Sequence, residues 1–467
     1  MIFLTYPDNI NDEKTKGILD WLELIMLERF GHTFSLSQKS SSSLTVQLPS
    51  SLGEIVFDRL IPSFYDSNQN VPYGEIDVEN EGFKSVFSLS LPAPGLGGSL
   101  CSLIDVVKGN NYIHYDILGL VYWVLSRQEE VNRKNLDKHG RFPAISSHAY
   151  KYHYLDRPIV DEWLDIFGQV IKRQWPQLQL KKHKPKTFVS CDVDQPYLPY
   201  SKSFLPTFRK MLGDLIKRRS FRQATNNIRR YFWFKRGKYE LDPLIGAIDW
   251  IMDVNERAGN EVAFYFITQQ KGSSYNSYYE MEEGVIRYLL KLISSKGHEI
   301  GLHGSYNSYR DGKKTFREEN VLRYAMSVTG VFQDDIGGRQ HYLRWESPIT
   351  AKNLEAAGIT YDSSLGYADH PGFRCGTCHE FPMFDPVKGE MLAIRQRPLV
   401  LMECSVLSPI YMGMGYTDEA LKYMNELKQR CYKVGGNFTL LWHNSHLLTD
   451  EDKSFYLSLI GSEVEKK

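Results

Sequence analysis

The chain has 467 residues, of which 42% are hydrophobic and 24% are charged, and its formal net charge is zero. These values are typical of a globular protein with two or three domains, and the balanced charge excludes a general attraction to nucleic acid or anionic surfaces. Six scattered cysteines exclude the dense disulfide scaffold of a small secreted protein. No apolar run reaches the roughly 18 residues of a membrane span, and the first residues lack a signal-peptide pattern, so we expect a cytoplasmic protein.

The first part of the chain predicts a mixed arrangement of helices and strands. Apolar side chains between Lys16 and Phe30 recur with helical spacing, and Gly31 follows where a C-cap is expected. The other elements predicted here are the strands Ile2–Thr5, Leu44–Leu48 and Glu54–Asp58 and the helices Asp116–Asn132 and Ile159–Trp175. We therefore predict an N-terminal α+β domain over residues 1–180.

A polar, basic segment at 181–186 is the predicted linker, and strand and helix patterns alternate after it. The predicted strands are Thr187–Asp192, Val262–Ile267, His298–Leu302, His341–Trp345, Leu399–Glu403 and Asn437–Trp442. The predicted helices include one capped by Asp242 that begins at Pro243, together with Glu282–Lys296, Thr315–Thr329, Ala351–Ala357 and Asp418–Lys433. Such alternation is typical of a parallel sheet, open or closed into a barrel, in a second domain over residues 181–467.

A strongly basic stretch with interleaved aromatic residues lies at about 203–238. This composition can bind nucleic acid or an anionic polymer. More often it forms helices whose aromatic side chains pack while the charges face solvent. We predict a basic helical insertion after the first strand of the second domain, with no nucleic-acid partner. An assembly role for this stretch remains the alternative, and the sequence leaves the oligomeric state open.

Four polar clusters fall at the carboxyl ends of predicted strands or on an adjoining segment. Asp192 and Asp194 follow the first strand, His303 ends a later one, Arg339 lies just before another, and His443 follows the last. In folds with parallel strands, functional side chains collect at this edge of the sheet. A carboxylate pair can supply a base and a metal ligand, imidazoles can bind metal or move protons, and a guanidinium can hold a carboxylate.

Taken in this order, the clusters resemble the motif series of the polysaccharide deacetylases, also called the NodB-homology or carbohydrate esterase family. The run Gly297–His303 is the closest local match, and the resemblance covers about residues 186–446. It implies a distorted (β/α) barrel, preceded here by the smaller α+β domain. It also implies a hydrolase that removes acetyl or related acyl groups from a carbohydrate with one divalent metal ion, zinc by preference. The N-terminal part is similar to an accessory domain of unknown function found before some bacterial members.

The resemblance implies a catalytic role for four residues. Asp192 matches the general base, and Arg339 matches the arginine that orients that base. Asp362 falls near a motif that supports the catalytic groups, and His443 matches the late histidine that acts as general acid.

The metal ligands implied by the resemblance are Asp194 and His303, with a departure at the third position. The family has a second histidine four residues after the first, where this chain has Asn307. An amide oxygen can bind a metal, so Asn307 is the predicted third ligand. It is a weaker zinc ligand than imidazole, and His341 and His446 are candidates to replace it. The predicted substrate contacts are Tyr306, His341 and Trp442. The alternative to hydrolysis is a carbohydrate-binding protein on the same fold that has lost activity at this position.

Overall fold

The structure is a computed structural model that describes residues 13–49, 51–66, 70–98, 102–269 and 273–461. The strand predicted at Ile2–Thr5 lies outside these residues. In the described part of the chain, helices and strands mix in an α/β architecture. None of the helices described is both long and apolar enough to cross a bilayer.

The helices and strands are numbered in chain order. The α-helices are α1 Glu13–Phe30, α2 Ile117–Leu125, α3 His148–Lys151, α4 Ile159–Gln174, α5 Phe204–Ile216, α6 Phe221–Lys235, α7 Pro243–Ala258, α8 Gly284–Ser295, α9 Gly312–Val328, α10 Ile349–Ala356, α11 Glu403–Leu407, α12 Asp418–Lys433 and α13 Asp450–Ile460. The strands are β1 Ser35–Ser40, β2 Ser43–Gln47, β3 Ile55–Phe57, β4 Tyr73–Ile76, β5 Leu91–Pro94, β6 Ile104–Val107, β7 Asn110–Ile113, β8 Lys186–Val193, β9 Val262–Ile267, β10 Glu299–Gly304, β11 Gly337–Gln340, β12 Tyr361–Asp362, β13 Phe381–Asp385, β14 Glu390–Gln396, β15 Leu401–Met402 and β16 Asn437–Leu441.

The larger sheet has nine strands in the order β13-β14-β12-β11-β10-β9-β8-β16-β15 and curls into a half-barrel. All neighbouring strands are parallel except β13, which pairs antiparallel with β14. The predicted alternation of strands and helices therefore gives the expected parallel sheet. Within the described residues the sheet stays open, with β13 and β15 at its edges.

Local sequence signals account for several element boundaries. Asp242 accepts a hydrogen bond from the Leu244 amide at 3.0 Å and caps α7, which begins at Pro243 as predicted. The predicted helix Asp418–Lys433 has the same bounds in the structure.

The strand predicted at His341–Trp345 is wrong. The strand lies earlier, at β11, and ends at Gln340. Tyr342 and Leu343 adopt positive φ angles of 63° and 54°, which turn the chain away from the sheet directly after the strand.

The region before the larger sheet contains a second sheet of five strands in the order β1-β2-β3-β7-β6, together with a β4-β5 pair. Its hydrophobic core continues without interruption into the larger sheet. The indole of Trp21 in α1 stacks on Phe384 in β13 at 4.9 Å and donates a hydrogen bond to the Pro382 carbonyl at 2.8 Å. Helix α1 therefore packs against the β13-β14 edge, and the division into two domains at residue 180 stays a prediction.

Candidate metal and catalytic site

The polar side chains predicted for the site converge at the carboxyl end of the larger sheet. Asp192 lies in β8 and Asp194 directly after it, and residues two apart on an extended chain point to the same face. His303 in β10 and Arg339 in β11 are register partners, so their side chains lie side by side. His443 follows β16, which pairs with β8 on its other side. Distant parts of the sequence thus meet because their strands are neighbours.

Two imidazoles approach one oxygen of Asp194. Its Oδ1 lies 3.4 Å from His303 Nε2 and 3.5 Å from His341 Nε2. That oxygen is buried and has no hydrogen-bond partner in the described structure. His303 Nδ1 donates to the Arg339 carbonyl at 3.0 Å, which fixes the ring with Nε2 directed at the carboxylate. Burial raises the pKa of Asp194, but the attraction of His341 and His303 outweighs it and holds this pKa well below its usual range.

The distances from Asp194 Oδ1 to the two imidazole nitrogens fit a shared divalent metal ion. For an ion about 2.1 Å from each ligand atom, separations of 3.4 and 3.5 Å correspond to ligand–ion–ligand angles of roughly 108° and 113°. These angles are close to tetrahedral. Two imidazoles and one carboxylate are the donors that zinc favours in catalytic sites, where a further position stays open for water. The buried oxygen of Asp194 that lacks a hydrogen bond has a partner once such an ion is bound.

Asp192 is held by the guanidinium of Arg339. Arg339 Nη1 lies 3.3 Å from Asp192 Oδ1, and the two side chains are 0% and 4% exposed. The guanidinium is fixed on its other side, because its Nε and Nη2 donate to the carbonyl and the hydroxyl of Ser363. Asp192 Oδ2 lies 3.6 Å from His303 Nε2. The carboxylate therefore stands beside the candidate ligands but has its own cationic partner.

His443 forms a pair with the buried Glu403. Its Nδ1 lies 2.6 Å from Glu403 Oε1, and its Nε2 lies 3.8 Å from Asp194 Oδ2. Burial opposes both charges, but the attraction between the partners outweighs it. It raises the pKa of His443 well above its ordinary value and lowers that of Glu403.

Glu403, Cys404, His443 and His446 also bring four potential ligand atoms together. A separation of 2.6 Å between His443 Nδ1 and Glu403 Oε1 would correspond to an angle of only about 76° at a shared ion about 2.1 Å from each. That distance is typical of a charge-assisted hydrogen bond. We therefore interpret the group as a carboxylate that orients His443, with His446 and Cys404 beside it.

A group of aromatic side chains packs beside His341. The ring of Tyr306 lies 4.5 Å from Tyr275 and 5.4 Å from Tyr342, and Tyr342 lies 4.8 Å from His341. His139, from the region before the larger sheet, reaches the hydroxyl of Tyr306 at 2.9 Å. Tyr275 is 44% exposed, so part of this aromatic group faces solvent.

Three residues that the sequence predicted for the site have side-chain contacts with residues outside it. The side-chain oxygen of Asn307 accepts from Arg344 Nη1 at 3.2 Å. Asp362 is the register partner of Gly338, so it points away from the face that carries Arg339, and its carboxylate accepts two hydrogen bonds from Ser364. Trp442 is fully buried, and its ring packs 5.1 Å from Tyr456.

Glu403 and His139 were not predicted as site residues. Glu403 ended a predicted strand, the same signal that identified Asp192, and could have been found on that ground. His139 gave no such signal, because its place depends on how the first 180 residues pack against the larger sheet.

A family of unknown function (DUF7033) matches residues 21–176, a third of the chain. No curated protein matches the sequence.

Similar solved structures include a putative polysaccharide deacetylase from Mycobacterium smegmatis, with 15% identity, a TM-score of 0.36, and coverage of 60% of this chain and 86% of that one. Puue allantoinase has 14% identity and a TM-score of 0.35, covering 63% and 87%. A probable polysaccharide deacetylase from Pseudomonas aeruginosa PAO1 has 12% identity and a TM-score of 0.34, covering 60% and 84%. Likeness at this level is too low to assign residue roles, so the proposals below rest on the geometry of the site.

Proposed function

We propose that this protein is a metal-dependent hydrolase that removes acyl groups, acetyl in the simplest case, from a carbohydrate. The observation that carries the proposal is the meeting of two different groups in one pocket. One is a set of metal-type ligands at Asp194, and the other is a pair of proton-transfer side chains, Asp192 and His443. The first can activate a carbonyl group and water, and the second can move the protons that hydrolysis requires.

Asp194, His303 and His341 would hold the ion, with His341 taking the position that the resemblance gave to Asn307. Two imidazoles and a carboxylate favour zinc, and a zinc ion held there would polarise the acyl carbonyl and lower the pKa of water.

The chain's own residues would supply the proton transfers. Asp192 would take a proton from the attacking water, while Arg339 holds its carboxylate in place at 3.3 Å. His443 would donate its Nε2 proton to the leaving nitrogen or oxygen as the acyl C–N or C–O bond breaks. Glu403 would hold His443 at Nδ1, which fixes the direction of Nε2. The products are the free carboxylate, acetate for an acetyl group, and a sugar amine or hydroxyl.

The group of aromatic side chains beside His341 supports a carbohydrate as the substrate. Tyr275, which is 44% exposed, offers a ring of the kind that packs against the apolar C–H face of a sugar, and Tyr306 and Tyr342 pack beside it. Acetate release from N-acetylated and O-acetylated oligosaccharides, assayed with added Zn²⁺, Co²⁺ or Ni²⁺, tests the proposal. We expect release that stops when a chelator is added. Binding of these saccharides without acetate release, in protein shown to contain metal, would contradict it and favour a binding protein.

His341 and Asn307 give opposite expectations for metal content. We expect His341→Ala to lower the affinity for Zn²⁺ by at least about tenfold, because it removes one of three ligands. Asn307→Ala should retain the metal of the unaltered protein, because Asn307 contacts Arg344. Elemental analysis after dialysis against a graded zinc buffer measures both. Loss of metal in Asn307→Ala with retention in His341→Ala would reverse the assignment.

A further inference from the structure

We infer that the hairpin of α5 and α6, residues 203–238, docks on the surface of a bilayer rich in anionic lipids. The inference does not depend on the proposed hydrolysis. It starts from charge: these residues include eleven Lys or Arg and one Asp, a net charge of +10 in a chain whose total is zero. The rest of the molecule is therefore acidic overall, and the positive charge is concentrated on one element.

Polar side chains are buried in the hairpin, and several of its large apolar side chains are exposed. Its single acid, Asp214, is 1% exposed and accepts from Asn227 at 2.6 Å, and Thr207 is also buried. In contrast, Phe204 is 55% exposed and Ile216 is 73% exposed. A helix pair that packs only on itself buries its large apolar side chains. The exposed apolar side chains here therefore indicate a surface that binds a partner.

The exposed apolar side chains form a stripe along α5. Phe204, Phe208, Leu212 and Ile216 recur every four residues, so they lie on one face of the helix, and each is at least 37% exposed. At the turn between the helices, Phe221 is 74% exposed. A row of large apolar groups flanked by basic side chains is the pattern of helices that lie in the interface of anionic membranes.

Charge complementarity selects this occupant over others. A second copy of the hairpin would bring +10 against +10, which like-charge repulsion disfavours. Nucleic acid matches the charge and can stack on aromatic rings, but it offers no apolar medium for Leu212 and Ile216. Anionic lipids satisfy both features, because their headgroups attract Lys and Arg while their acyl chains accept the stripe.

Vesicle sedimentation with the full chain tests the inference. We expect the protein to sediment with vesicles of phosphatidylcholine and phosphatidylglycerol at 3:1 but not with phosphatidylcholine alone, and to be released by high salt. Phe204→Ser combined with Ile216→Ser should weaken the partition by at least about tenfold, as should Lys217→Glu combined with Arg219→Glu.

Phe332→Ser is the matched control, because Phe332 is 85% exposed but lies outside the hairpin, and this variant should bind vesicles like the unaltered protein. Circular dichroism should show unchanged helix content in every variant, since only exposed side chains are replaced. Equal partition onto both vesicle types, or no loss in the hairpin variants, would overturn the inference. Dimerisation in light scattering would also overturn it, if the dimer is lost in Phe204→Ser with Ile216→Ser while vesicle binding persists. Binding of a single-stranded oligonucleotide that behaves in the same way would overturn it too.

Discussion

Replacing Asp192 with Asn is expected to lower kcat for deacylation by about 10²- to 10⁴-fold while the metal stays bound. Asn has nearly the shape of Asp but cannot accept the proton of the attacking water. Asp192 contacts Arg339 at 3.3 Å, and the ligand set proposed for the metal centres on Asp194, so the ion keeps its three side chains. Steady-state kinetics on an acetylated saccharide, together with elemental analysis of the same sample, measures both parts.

Ser190→Ala is the matched control for this substitution. Ser190 lies two residues earlier in the same strand, so its side chain shares the face of Asp192, and its hydroxyl donates to the Leu440 carbonyl at 3.2 Å. We expect this variant to keep kcat within about threefold of the unaltered protein, because it touches no group in the proposed proton path. Full activity in Asp192→Asn would exclude Asp192 as the base.

Much of the site was predictable because its residues end strands that the hydrophobic pattern reveals. Asp192, Asp194, His303 and His443 each follow a short apolar run, and parallel strands bring such ends together. The order of the strands in the sheet was not needed for this prediction. The carboxyl ends of neighbouring parallel strands lie at the same edge in any order. The same reasoning could have included Glu403.

The position of His341 could not be predicted from the pattern. It depends on a turn in which Tyr342 and Leu343 adopt positive φ, a conformation that neither residue type favours and that no local signal marks. The segment was therefore predicted as a strand. In the structure, this turn places His341 Nε2 3.5 Å from Asp194 Oδ1. The resemblance had given this ligand position to the residue four positions after His303.

The packing of the described residues before the larger sheet could not be predicted from the sequence. A polar linker at 181–186 predicted a boundary, but side chains before it share a core with β13 and β14, a hairpin that the sequence pattern did not reveal. Contacts such as Trp21 on Phe384 join residues more than three hundred positions apart, and such pairings carry no local signal. The stability of the larger sheet should therefore depend on groups in the N-terminal region.

A buried network across this junction provides the strongest test of that dependence. Glu130 accepts from Arg374 through both carboxylate oxygens, at 2.9 and 2.7 Å, and from Arg127 at 2.8 and 3.1 Å. All three side chains are at most 3% exposed. Arg374 lies in the segment that leads to β13, so the network ties α2 and its following turn to the larger sheet.

Glu130→Gln is expected to lower the free energy of unfolding by about 3–5 kcal/mol, because it leaves the buried guanidinium of Arg374 without its anion and leaves Arg127 with Glu129 alone, at 3.8 Å. Glu28→Gln is the matched control. Glu28 also joins the N-terminal region to the sheet through a bidentate contact with Arg395, but these side chains are 34% and 37% exposed, so we expect a loss of at most about 1 kcal/mol. Urea unfolding of the three proteins measures the difference.

The pH dependence gives this prediction a second readout. Burial raises the pKa of Glu130, but the attraction of Arg374 and Arg127 outweighs it and lowers that pKa from 4.5 to about 2. A carboxyl group with a depressed pKa in the folded state stabilises the fold above its unfolded pKa, and that stabilisation is lost as the pH falls toward the folded value. The gap between the unaltered protein and Glu130→Gln should therefore be full above pH 4.5 and shrink as the pH approaches about 2. A gap that is constant across this range, or a loss no larger than that of Glu28→Gln, would show that the network does not hold the two parts of the molecule together.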